Sequence, residues 1–330
     1  VKYQMEKRLV LMAFIFILFI SFISGCFDNK NNQENIVKIK GEKTEFANIM
    51  DAIEKSINGD VIVVGKGTYH EKLKITKSIT LLGENKETTI IDAGGSGDGV
   101  YINADSVKIS GFTIKNCGKN SYPSYDAAID IRSNNNLISD NNIIDNGNNG
   151  FYIQRGSNNT FLNNLVYNNT FGVYADGSFA YKILGLNISN NIFSKNLDKG
   201  IYFSYCYNST LHDNNISKND YGIHMQHSDN NIIFNNFFNK NERGLFFCCG
   251  AENNIVFKNE FVDNSEYNAK SNYKNQFDYL GIGNFWDDYN GTDENSDGIG
   301  DTPYDIYHHE DIDIFNLDRY PLVNRNMLSN

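Results

Sequence analysis

The sequence predicts an all-β fold: a right-handed, single-stranded parallel β-helix with an N-terminal helical cap. Three observations point there. The motif Gly-apolar-x-apolar recurs at Gly150, Gly172, Gly200, Gly222 and Gly244, and with alanine at Ala128, at spacings of 22, 22, 28, 22 and 22 residues. A fixed period of this length marks a repeat that stacks into a solenoid. Each period divides into three short strand-like pieces, as in "GIHM", "NNIIF" and "NNFFNK", none long enough for a helix. Finally, "NNIIFNNFFNKNERG" (230–244) alternates asparagine pairs with apolar pairs. Asparagine suits corners, because it tolerates left-handed backbone angles, and matched asparagines form ladders from coil to coil; Ile and Phe fill the interior.

Composition narrows the partners. The 330 residues include only three prolines but 27 glycines, 20 tyrosines and 23 phenylalanines. A formal net charge of −11 argues against nucleic acid or an anionic membrane face as the main partner and leaves metals and neutral sugars open. The five cysteines (26, 117, 206, 248 and 249) are not spaced as a disulfide framework.

Taken in order, residues 1–25 read as a signal peptide. Lys2, Lys7 and Arg8 precede the apolar run "LVLMAFIFILFISFI", which ends in "ISGC". That ending resembles a lipobox, with Cys26 as the lipid-modified first residue of an exported, membrane-anchored lipoprotein; the alternative is an uncleaved anchor. Residues 26–43 are expected to be a flexible tether. "TEFANIMDAIEKSING" (44–59) reads as an amphipathic capping helix with Thr44 as its N-cap and Gly59 past its end. Residues 60–289 have room for roughly ten coils, about 48 Å of stack at ~4.8 Å per strand. The 28-residue period holds an insertion near "FAYKILGL", and a second insertion falls in "GKNSYPSYD". Residues 290–330 form an acidic C-terminal cap.

The opening "DAIEKSINGDVIVVGKGTYHEKLKITKSITLLGENKETTIID", the Asn-rich coils and the closing "GNFWDDYNGTDENSDGIGDTPYDI…DRYPLV" resemble the NosD-like family of parallel β-helix proteins over residues 44–323. That family is related to the pectin-lyase-like superfamily and is common on archaeal surfaces. The resemblance implies the fold, a surface location and an association with copper; it fixes fold better than function.

The repeat assigns faces. With Gly as zero, positions +1 and +3 point inward and +2 outward, giving the row Tyr101, Asp130, Tyr152, Tyr174, Tyr202, His224 and Phe246. Position +4 adds Asn103, Arg132, Gln154, Asp176, Ser204 and Gln226. An outward aromatic row beside amides and charges suits a sugar chain, in the cell envelope or the environment; a row that only stabilises its strands would look the same. The carboxylates of that face, Asp130 and Asp176, are two coils apart, too far for a glycosidase pair, and Arg132 and Arg155 are the cations a lyase would have. Binding is therefore expected over catalysis, with a polysaccharide lyase or hydrolase as an alternative.

Two metal sites are also expected. Cys206, His227, Cys248 and Cys249, with His224 nearby, gather soft donors for copper, which would make the chain a copper accessory protein. Asp293, Asn295, Asp297 and Asp301, with Gly298, follow a calcium-loop pattern whose twelfth position is Tyr304 rather than Glu. Of six N-x-S/T sequons, only Asn187 and Asn290 are expected to be accessible acceptors, the coil asparagines being buried in ladders.

Overall fold

One coil shows how the sequence becomes structure. Asn230, Asn235 and Lys240 each adopt a left-handed conformation, with φ of 59°, 54° and 55°. They turn the chain between three short strands, Ile232–Phe234, Phe237–Asn239 and Arg243–Cys248. The residue after each corner, Asn231, Asn236 or Asn241, is buried. The doublet "NN" is thus a corner followed by a ladder rung. Asn214 donates from its backbone N–H and its Nδ2 to Oδ1 of Asn236, at 3.1 and 2.9 Å. Asn236 does the same to Asn259, both at 3.0 Å. Asn141, Asn164, Asn191, Asn214, Asn236, Asn259 and Asn284 form one such column, which ends on the Asp318 carboxylate.

The computed structural model describes residues 36–122, 124–309 and 315–325. The leader, Cys26 and the first part of the tether lie outside the described residues. Among the described residues, three long sheets of eleven, ten and nine strands run along the solenoid, named here sheets A, B and C. Their coil strands pair in parallel with the next coil in register, as in Tyr202↔His224 and Phe203↔Met225. Each coil contributes one strand to A, then B, then C, so the predicted right-handed parallel β-helix is the fold. The inward positions stack as the period requires: Phe151, Ile153, Val173, Ala175, Ile201, Phe203, Ile223, Met225, Leu245 and Phe247 are all 0 % exposed. The motif glycine is required by the close approach of coils, because a Cβ on Gly172 would lie 2.4 Å from the Gly200 carbonyl oxygen.

The N-terminal segments differ from expectation. Val37–Ile39 pairs antiparallel with Val61–Val64 and Glu45–Phe46, so the tether does not extend to residue 43. Helix α1 covers only Ile49–Lys55, and its N-cap is Asn48, not Thr44. The Asn48 side chain accepts from Asp51 N–H, and both Glu71 carboxylate oxygens accept from the first turn, leaving Glu45–Phe46 free to join the sheet. Lys77 Nζ closes the other end by donating to the carbonyls of Ile53, Glu54 and Ser56. Ile49, Ala52 and Ile53 cover the first coil.

At the far end, Phe238, Phe261, Trp286 and Tyr304 stack with centroid spacings of 4.5, 4.4 and 4.4 Å. Trp286 Nε1 donates to Asp318 at 2.9 Å, so the same carboxylate ends the asparagine column and anchors the indole. Tyr304–Asp305 and Leu317–Asp318 close this end as an antiparallel pair.

The sequons need a correction too. Asn158, Asn168 and Asn208 are exposed corner residues with φ of 58°, 55° and 53°; the ladder rungs are the residues after them, Asn159, Asn169 and Ser209. Asn290 is exposed, but Asn187 is half-buried in a strand and its Oδ1 is buried without a hydrogen-bond partner.

Candidate functional site

Parallel in-register pairing puts the +2 residues into a single column on the outer face of sheet C: Tyr101, Asp130, Tyr152, Tyr174, Tyr202, His224, Phe246 and Lys270, then Tyr307. Eight strand steps make this column about 38 Å long. Its rings touch: Tyr152–Tyr174, Tyr174–Tyr202, Tyr202–His224 and His224–Phe246 have centroids 5.6, 5.1, 5.4 and 4.9 Å apart. The expected sugar-binding row is therefore assembled, but it is not uniformly open. Tyr152 and Asp130 are buried, at 1 % and 3 % exposure, while Tyr101, Tyr174, Tyr202 and His224 are half-buried. Arg132 covers Asp130, while the insertion at 118–126 covers Tyr152. It carries Tyr125 over the column, 5.3 Å from Tyr152 and 5.0 Å from Tyr174.

A second column went unread in the sequence. Phe171, Lys199, Tyr221, Arg243 and Tyr267 pair in register beside the first, alternating aromatic and cationic groups. Lys199 Nζ sits 5.1 Å from the centroids of both Phe171 and Tyr221, and Arg243 Cζ sits 4.7 Å from Tyr221. Its signal was available: the residue before each motif glycine is Phe, Lys, Tyr or Arg from residue 171 onward.

Two concavities adjoin the face. One, of about 580 Å³, is lined by Tyr101, Arg132, Gln154, Arg155, Asp176 and Tyr181 among others. Its rim is the insertion loop, where Phe179 and Tyr181 are 85 % and 64 % exposed. Arg132 grips Asp130 with two hydrogen bonds of 2.7 and 2.9 Å, reaches Gln154, and lies over the Tyr152 ring. Burial raises the Asp176 carboxyl above its ordinary value, opposed by the Tyr152 hydroxyl and Arg132. Arg155 is exposed, donating to the Arg132 carbonyl and to Asn103. The other concavity, about 800 Å³, lies at the C-terminal end between Tyr267, Asp288, Tyr289, Tyr304 and Tyr307.

The expected copper quartet does not assemble. Cys206 is fully buried, with its Sγ directed at the carbonyls of Ala175 and Ser204. His227 stacks on Tyr205 at 4.7 Å. Among the described residues, no group of three or more His, Cys, Asp or Glu side chains is arranged to hold a metal. What does meet is a pair: His224 Nε2 lies 3.1 Å from Cys248 Sγ, with Cys249 next along the chain. His224 Nδ1 is buried and unpartnered. Burial, with Lys199 nearby, lowers its pKa to about 4, so this imidazole is neutral at physiological pH. Burial raises the Cys248 thiol well above its usual range. A cuprous ion would take His224 as the neutral imidazole but Cys248 only as the thiolate, so it would have to displace the proton that burial holds on the sulfur.

The expected calcium loop is closed on its own backbone. Asp293 accepts from the N–H groups of Asp297 and Gly298 at 3.1 and 2.9 Å, Asn295 from Asp297 at 3.0 Å, and Asp297 from Ile299 at 2.8 Å. Asp301 accepts from Glu294 N–H at 2.7 Å.

With fold and face described, the relatives can be placed. The family described as "Periplasmic copper-binding protein (NosD)" matches residues 53–291. The chain belongs to the NosD family. A cell surface glycoprotein of Methanothermus fervidus is 33% identical over 113 residues, which is 33% of this chain but only 17% of that protein. The A-module of the Azotobacter vinelandii mannuronan C-5 epimerase AlgE4 superposes with a TM-score of 0.52 at 15% identity, covering 72% of this chain and 81% of the module. An alginate lyase from Paenibacillus gives a TM-score of 0.49 at 16% identity, over 71% and 93%. At 15% identity the epimerase module shows a shared fold alone. This NosD-family chain is an extracytoplasmic β-helix protein.

Proposed function

We propose that this NosD-family chain binds polysaccharide along the outer face of sheet C, held at the cell surface by a lipid on Cys26. The carrying observation is the concavity that runs beside the first coils of the tyrosine column. Tyr101 and Tyr181 offer ring faces, while Arg132, Gln154, Arg155 and Asp176 offer donors and acceptors within one cleft of about 580 Å³. A column about 38 Å long, flush with that cleft, matches an extended polymer better than a small molecule. The epimerase that shares the fold acts, by its name, on a polysaccharide.

The test is retention of the folded protein on a panel of immobilised neutral and acidic polysaccharides, with a Tyr101→Ala/Tyr181→Ala variant alongside. Retention lost in the variant supports the reading, and no retention on any polymer removes it. Assaying the same incubations for new chain ends tests the lyase or hydrolase alternative. Mass analysis of the mature N-terminal peptide tests lipidation.

A second reading, copper handling, is favoured by the His224–Cys248 pair with its unpartnered Nδ1. Bound copper would supply a soft one-electron centre. Here His224 and Cys248 would hold it, while Cys206 would not. Stoichiometric Cu(I) uptake in competition with a chromophoric chelator, abolished by Cys248→Ala and retained by Cys206→Ala, is the expected result.

A further inference from the structure

The corner asparagines open a second chemistry, independent of the sugar-binding face. In the coils, the residue two places after a ladder asparagine is an inward strand residue, as in Asn231-Ile-Ile233 or Asn236-Phe-Phe238. A Ser or Thr there would be buried in the apolar core. None of the seven asparagines of the column ending on Asp318 begins an N-x-S/T sequon. The residue two places after a corner asparagine is instead an outward residue at the start of the next strand, as Thr160 and Thr210 are, or just before it, as Thr170 is before Phe171–Asp176. Asn158, Asn168 and Asn208 are such corners, and Thr160, Thr170 and Thr210 are their half-buried partners. The fold therefore sets these three sequons in the frame that keeps the acceptor amide in solvent.

We propose that Asn158, Asn168 and Asn208 carry N-linked oligosaccharide in the mature extracytoplasmic protein. The donor class is a lipid-pyrophosphate-linked oligosaccharide. A bond forms between Asn Nδ2 and the sugar C1, the C1–O bond to pyrophosphate breaks, the lipid pyrophosphate leaves, and Nδ2 gives up one proton. The glycosylated amide keeps one N–H. That is all the folded corner uses: Asn168 Nδ2 donates to Asp145 Oδ1 at 2.8 Å, and Asn158 Nδ2 to Asn135 Oδ1 at 3.4 Å. A glycan on a ladder rung could not be accommodated, because rung Nδ2 atoms donate both to the next rung and to a backbone carbonyl, as Asn214 does to Asn236 and Ile188. Asn187, half-buried and set in a strand, is the internal contrast. Asn158 and Asn208 occupy the same corner two coils apart, about 10 Å, so their glycans would project from one edge of the solenoid, the edge between sheets C and A.

The test is glycopeptide mass spectrometry on the protein isolated from the cells that make it. The expected result is oligosaccharide mass on the peptides containing Asn158, Asn168 and Asn208, and none on Asn187. Thr160→Val, Thr170→Val and Thr210→Val, expressed in the same cells, should each remove the glycan from one site. Each variant keeps its corner asparagine, so an unchanged melting temperature separates loss of a glycan from loss of the fold. Bare peptides at all three corners overturn the proposal. So does a glycan on Asn187, or one that persists when the sequon threonine is removed.

Discussion

Tyr152 and Tyr101 stand at equivalent positions two coils apart, yet they should answer to different measurements. Tyr152 is buried beneath Tyr125 and beside Arg132, so Tyr152→Ala is a cavity mutation expected to cost about 3 kcal/mol of stability, read by denaturant titration. Tyr101 and Tyr181 line the open cleft. Their double alanine variant should weaken polymer binding about tenfold, ~1.4 kcal/mol, without a comparable loss of stability. The period of 22 revealed that both rings sit on one face. It could not reveal that an insertion folds back over one of them, because that contact joins residues outside the repeat.

Asp98 gives a pH signature at the same scale. Burial, reinforced by Asp130, raises its pKa to about 7 from 3.8, while Ala127 N–H opposes the shift. The folded state thus holds a proton that the unfolded chain releases. The resulting stabilisation is complete below about pH 4 and is lost as pH rises through about 7. Wild type should lose melting temperature between about pH 4 and 7, and Asp98→Asn should flatten that slope. An identical slope in the variant would assign the titration to another group.

At the scale of the element, the asparagine doublet divides into two roles with different energetics. Replacing rung Asn214 by Ala removes the acceptor of the Asn191 N–H and Nδ2 and the side-chain donor to the Ile188 carbonyl and Asn236 Oδ1, with an expected cost of about 3 kcal/mol. At corner Asn235, φ of 54° makes Gly nearly neutral, whereas Val should cost about 2 kcal/mol through left-handed strain. Comparing midpoints of the three variants separates rung from corner. The Asp293–Asp301 loop, proposed as a structural calcium site, makes a further prediction. Calcium at about a hundredfold over its dissociation constant should add ~2.7 kcal/mol to stability, and Asp297→Asn should abolish the increment. No calcium-dependent shift would leave the loop as a turn closed by its own backbone amides.

At the scale of the molecule, the solenoid is a one-dimensional stack whose ends must be covered. Helix α1 lays Ile49, Ala52 and Ile53 over the first coil, and the Trp286–Tyr304 stack closes the last one. Deleting residues 36–59 would uncover Ile62, Val64 and their unpaired strand edge. The expected result by light scattering is self-association of the truncated protein, set against the behaviour of the longer chain.

The sequence by itself determined the coil. The period, the inward residues and the corner asparagines are local properties repeated in register, and a repeat that works once works in every neighbouring coil. It also held the family resemblance, because the opening and closing segments are specific while the coils are generic. Only the tertiary structure decided which part of the face is open, that His224 rather than His227 meets Cys248, that Cys206 turns into the core, and that three of the sequons fall on corners. Those outcomes depend on insertions and on the direction each side chain takes between coils. A period fixes the address of a residue, whereas long-range packing fixes what covers it.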